Sequence, residues 1–137
     1  MRQSPASGTD MQISYTIDER AGLVTFRMSG VPDFEAVRDA LEQLRVDPRF
    51  RPGMDVLTDR RELAGIPTSE YTHELVELIR TQWPPRMIRR WAILARPGAS
   101  YGMARMAEMR ATISGSEIAA FIHESDALEW LLRPEES

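Results

Sequence analysis

M-D-V-L-T-D-R-R-E-L-A-G-I-P-T-S-E-Y, residues 54–71, is the stretch on which the fold turns. The short apolar run Met54 to Thr58 reads as a strand that ends in Asp59 and crosses a polar turn. Thr68 and Ser69 follow, hydroxyl residues suited to capping the amphipathic helix that starts there, with Glu70 in its first turn and Tyr71, Leu75, Leu78 and Ile79 on one face. Strand, loop and capped helix in this order place the stretch in the middle of an α/β sheet.

Upstream, Met11-Gln-Ile13-Ser-Tyr15-Thr-Ile17 alternates apolar and polar residues, the pattern of a strand with one buried face. Asp18 to Gly22 then leads to a second strand, Leu23 to Met28, making a hairpin. Ser29 to Pro32 breaks that strand, and Pro32 suits a first helical position. Phe34, Val37, Leu41 and Leu44 recur at helical spacing until Asp47-Pro48 stops the helix. Downstream, Trp83-Pro84-Pro85 ends the second helix, and Trp83 is the tryptophan expected to be exposed and to anchor a subunit contact. Trp91 to Ala95 reads as a strand buried on both faces, and Ser100 to Thr112 as a helix carrying Met103, Met106 and Met109. Ile118 to Ile122 is the last strand, followed by a helix packing Ala127, Leu128, Leu131 and Leu132. The expected fold is α/β, in the order β-β-α-β-α-β-α-β-α. It has a five-stranded, mostly parallel sheet with an N-terminal antiparallel hairpin and four helices. One domain covers 11–133, after a disordered segment 1–10 and before a solvated tail 134–137.

The 137 residues suit one core, and 42% hydrophobic with 28% charged residues is a globular balance. A net charge of -4, with arginine supplying every basic side chain, argues against a nucleic-acid partner. The chain has no cysteine, which removes disulfides, thiolate metal sites and cysteine nucleophiles. His73 and His123 are far apart and share no metal-binding spacing, so neither a metal nor another cofactor is expected. No apolar run nears the roughly 20 residues that span a bilayer, and residues 1–10 have no signal-like apolar core, so a cytoplasmic location is expected.

Parallel strands gather their carboxyl ends on one edge, where open α/β sheets bind ligands. The loops expected there are 29–32, 59–69, 96–101 and 123–125. They present Asp59, Arg60, Thr68, Ser69, Arg96, Ser100, Tyr101, Arg105 and His123 as candidate ligand- or partner-binding residues. Asp59 could orient a ligand or pair with Arg60, Arg61 or Arg96. His123 could act as a base, but no nucleophile is evident beside it.

With these elements placed, the chain resembles the SpoIIAA-like family of small bacterial domains, STAS-like relatives of anti-sigma factor antagonists. The resemblance rests on Asp47-Pro48-Arg49-Phe50 before a central strand, Val56-Leu57-Thr58-Asp59 within it, and Tyr101-Gly102-Met103-Ala104-Arg105-Met106 opening the third helix. Phe121 and Ala127-Leu128-Glu129-Trp130-Leu131 complete it. It implies a regulatory or interaction domain that is not an enzyme and binds a protein partner, with self-association as a further expectation. In the antagonists a serine at the start of the second helix is phosphorylated; the matching place here is Pro67-Thr68-Ser69-Glu70, where Pro67 replaces an acid and Glu70 a glycine. Thr68 and Ser69 thus stand as phosphorylation candidates or simply as caps. Similarity to Sec14-type domains implies an alternative, a carrier of a small apolar or lipid-like ligand.

Overall fold

A computed structural model of the protein describes residues 11–98, 101–102 and 116–134. Its strands are β1 (Gln12–Asp18), β2 (Leu23–Gly30), β3 (Met54–Leu63), β4 (Ile88–Leu94) and β5 (Glu117–Phe121), forming one mixed sheet in that spatial order. β1 is antiparallel to β2, and β2 to β5 run parallel. Three helices are described: α1 (Phe34–Arg45), α2 (Ser69–Gln82) and α3 (Glu124–Leu132). The helix expected over 100–112 lies outside the described residues except for Tyr101 and Gly102, which are helical. The expected disordered segment 1–10 also lies outside them.

Strand order follows chain order in one direction, so right-handed crossovers carry α1 and α2 to the same face of the sheet. There Val24, Phe26, Val56, Trp91 and Ile93 form a buried cluster with Val37, Leu41 and Leu44 of α1 and with Tyr71 and Ile79 of α2. A second cluster, Leu57, Ala92 and Leu94 with Ala127 and Leu131, joins the opposite face to α3. The layers are therefore α1 and α2, sheet, then α3.

Local chemistry sets the helix starts. The Asp33 side chain accepts from the Glu35 amide at 3.1 Å and caps α1. Pro32 consequently sits before the cap, not at the first helical position the sequence suggested. Thr68 caps α2, its hydroxyl accepting from the Tyr71 amide at 3.0 Å.

Two expectations are corrected. β3 does not end at Thr58 but continues to Leu63, because its charged residues are accommodated on alternate faces and its pairing with β2 extends from Arg27↔Asp59 to Gly30↔Leu63. The loop at this edge shrinks to residues 64–68. Trp83 is 5% exposed, its ring edge-to-face with Phe50 at 5.7 Å, because the extended backbone after α2 turns it back onto the core. So buried, it is not the exposed anchor that the sequence suggested.

The pairing of β3 with β4 shifts between Met54↔Ile88 and Val56↔Trp91, which gives β4 one extra residue opposite Asp55. Two successive arginines use that irregularity to reach the end of α3. Arg89 donates from Nε and Nη2 to the two Asp55 oxygens, both at 2.9 Å, and from Nη2 to the Leu131 carbonyl at 2.7 Å. Arg90 donates to the carbonyls of Trp130 and Arg133, both at 2.8 Å, and its guanidinium stacks over the Trp130 ring at 5.4 Å. These cations satisfy the orphan carbonyls and the negative end of the helix dipole.

Candidate functional site

At the carboxyl edge, on the α3 face, Asp59 is gripped by its neighbours. Arg61 donates to it from Nε at 3.0 Å, from Nη2 at 2.8 Å and from its backbone amide at 3.0 Å, and Arg27 adds a bond at 3.2 Å. Arg61 also reaches Glu124 at the start of α3, at 3.3 Å. Burial pushes the Asp59 carboxyl up, but the hydrogen bonds and charge of Arg61, with Arg27, outweigh it and hold the group below the usual carboxylate range. A carboxylate so engaged organises the edge and has no free lone pair poised as a base.

A lowered folded-state value means that Asp59 contributes its stability above the unfolded carboxylate value, about 4, and loses it as pH falls below that. Denaturation midpoints measured downward from neutral pH should fall with a shallower acid limb in Asp59→Asn than in the parent. Parallel limbs would show that the Asp59 pairs carry no pH dependence.

The switch-like segment is solvent-facing. Thr68 and Ser69 are exposed, with the Thr68 hydroxyl committed to the cap. Arg96 donates to the Leu63 carbonyl at 2.8 Å and so ties down the end of β3. Tyr101 is half-buried against the cluster on the α1/α2 face. His123 is the N-cap position of α3 and makes no side-chain cap bond. Ser100 and Arg105 lie outside the described residues. The edge thus brings Asp59 and Arg61 to Glu124, the neighbour of His123, while Arg60 faces the other way.

That orientation is what the sequence reading missed. Arg60 is 4% exposed, on the α1/α2 face, and lines a cavity of about 30 Å³ whose walls come from both helices and all five strands. Phe26, Leu41, Leu75, Val76 and Ile93 make the wall almost wholly apolar. Of its hydroxyls, Thr58 is occupied, accepting from the Trp91 indole N–H at 2.8 Å. The Arg60 Nε and the Tyr71 hydroxyl are buried without a hydrogen-bond partner. Burial pushes the Arg60 guanidinium down and the Tyr71 phenol up, and the two groups feel each other's charge. A signal existed: Val56, Thr58 and Arg60 share the parity of a single strand face, so once β3 is extended past Thr58 its arginine must point inward.

Among the described residues no cluster of three His, Asp or Glu could hold a metal ion, and no helix is long and apolar enough to cross a membrane.

No protein-family model matches the chain, and no curated protein does. Among solved structures the chain is similar to an uncharacterised protein of the DUF3478 family from Shewanella loihica PV-4, described as having a SpoIIAA-like fold. The two are 20% identical, with a TM-score of 0.61 over 95% of this chain and 99% of that one. At that identity the likeness speaks for architecture alone, and it agrees with the strand order and the layers described above: the chain has a SpoIIAA-like fold.

Proposed function

We propose that the domain is a cytoplasmic, non-catalytic binding module that holds a small, largely apolar ligand between the sheet and α2. The apolar cavity on the α1/α2 face carries this reading. Its volume, about 30 Å³, suits one or two waters, so a ligand has to lift α2 from the sheet. The middle of α2 is the part suited to that movement: Leu75, Val76 and Leu78 on its inner side are only half-buried, so shifting them costs less packing than moving Tyr71 or Ile79, which are buried in the cluster. Filling the space tests the idea. Val76→Phe should keep the fold by circular dichroism yet abolish the saturable change in tryptophan emission that medium-chain aliphatic ligands induce through Trp91. Unchanged binding in that variant would place the ligand elsewhere.

A second reading, a protein-binding edge, draws on one observation. Val31 and Ile66 are each 45% exposed, on loops joined by the Ala64 amide bond to the Gly30 carbonyl at 2.7 Å, next to Thr68 and Ser69. Phosphate on Ser69 would add negative charge in the first turn of α2, which the dipole favours. A photo-crosslinking side chain at Ile66 or at Val31 should capture the same partner in the cell, and one at Arg51 should not. Capture of a second copy of the chain would make the edge a self-association surface, and no capture at either position would remove this reading.

A further inference from the structure

A buried guanidinium needs a counter-charge. Arginine stays protonated in proteins, and moving its charge out of water without a partner is strongly unfavourable. Arg61, one residue on, shows the ordinary solution, with Asp59 and Glu124 both bonded to it. Arg60 has no such solution: at 4% exposure no ion pair to it is present among the described residues, and its buried Nε has no hydrogen-bond partner. The Tyr71 hydroxyl, also buried and unpartnered, is a donor whose charge Arg60 feels. Thr72, in the first turn of α2, lines the cavity with Arg60, so the positive end of a helix dipole lies on the same side. Arg60, with its unsatisfied Nε, and Thr72 near the helix N-terminus thus line a cavity that is otherwise apolar but for Thr58, and the second unsatisfied donor, the Tyr71 hydroxyl, is close enough for Arg60 to feel its charge.

We propose that this cavity receives the head of an aliphatic monoanion, a medium-chain carboxylate, with Arg60 as its counter-ion, the Tyr71 hydroxyl as a second donor and the chain lying along the apolar wall beneath α2. The inference rests on the binding reading above and names the ligand's chemistry. One cation sets the charge: a carboxylate neutralises Arg60, whereas a dianionic phosphate would leave a net charge in the apolar cavity. The guanidinium fork and the planar carboxylate match in a paired geometry that an ammonium cannot reproduce.

Three probes of equal chain length separate head from tail: decanoate, decanol and decylammonium, each titrated into the full chain with calorimetry and tryptophan emission. Decanoate is expected to bind one-to-one and roughly 10- to 100-fold more tightly than decanol, the usual worth of a charged hydrogen bond, with decylammonium weakest. Arg60→Met should bring decanoate down to the level of decanol. Arg60→Lys, which keeps the charge but not the fork, should fall between. Tyr71→Phe, whose ring packs as before, should weaken decanoate and leave decanol unchanged. Equal binding of decanoate and decanol would overturn the anion site while leaving an apolar cavity intact. Absence of binding by all three probes would overturn both.

Discussion

Replacing Asp55 with alanine is expected to lower the stability of the domain by about 3–5 kcal/mol, the usual cost of removing one partner of a buried ion pair. The carboxylate does more than pair with Arg89. It also accepts from the Arg90 backbone amide at 3.2 Å, so it fixes the irregular turn of β4 that lets two successive arginines face α3. Without it, Arg89 keeps its bonds to the Leu131 and Arg133 carbonyls but loses the carboxylate that it grips through Nε and Nη2. The packing of Ala127 and Leu131 on Leu57, Ala92 and Leu94 then loosens with the helix end. Urea denaturation followed by far-ultraviolet circular dichroism measures the loss. Asp55→Asn, which keeps an acceptor and drops the charge, should lie between the parent and alanine. A loss below about 1 kcal/mol in the alanine variant would show that α3 is held by its apolar face alone.

Arg60→Met is expected to move stability the other way, raising it by about 1–4 kcal/mol in the absence of ligand. Replacing buried charge with an apolar side chain of similar length commonly stabilises a fold by that much, even when the charge is paired. Arg60 is unpaired among the described residues, and the methionine would lie against Phe26, Ile93 and Val76. A binding residue retained at the expense of stability leaves this signature: the variant folds better and binds worse. Ligand reverses the order, since anything that binds only the native state stabilises the parent by mass action. Denaturation of both proteins with and without decanoate measures all four values. A destabilised Arg60→Met protein would mean that the guanidinium holds the structure together.

Much of the architecture is legible in the sequence, because apolar alternation in Met11 to Ile17 and helical spacing in Phe34 to Leu44 are local signals that packing then reinforces. Thr68 as a cap is legible for the same reason: a hydroxyl ahead of an amphipathic run satisfies an orphan amide wherever the helix ends up. The far end of β3 was not. Asp59-Arg60-Arg61-Glu62 looks like a solvated turn until the fold supplies Arg27 and Glu124 as partners on one face and a cavity on the other. Those partners are far away in sequence, so nothing local marks the segment as strand. Trp83 misleads for a related reason. Two prolines after it announce a helix end correctly, but which way the chain turns, and hence its contact with Phe50, depends on tertiary packing. The candidate residues divide accordingly. Asp59 and His123 do flank the α3 end of the carboxyl edge, whereas Arg60, placed with them by proximity in sequence, belongs to the opposite face.

Methyl-resolved nuclear magnetic resonance of the full chain titrated with decanoate tests ligand binding beneath α2 most directly, because the two faces of the sheet carry separate sets of methyl groups. Leu75, Val76, Ile79, Ile93 and Ile118 line the cavity, while Leu57, Leu94 and Leu131 pack on the α3 face. The predicted result is a set of shifts in the first group that saturate together at one equivalent, with the second group unmoved. Shifts spread over both faces, or none at saturating ligand, would contradict it.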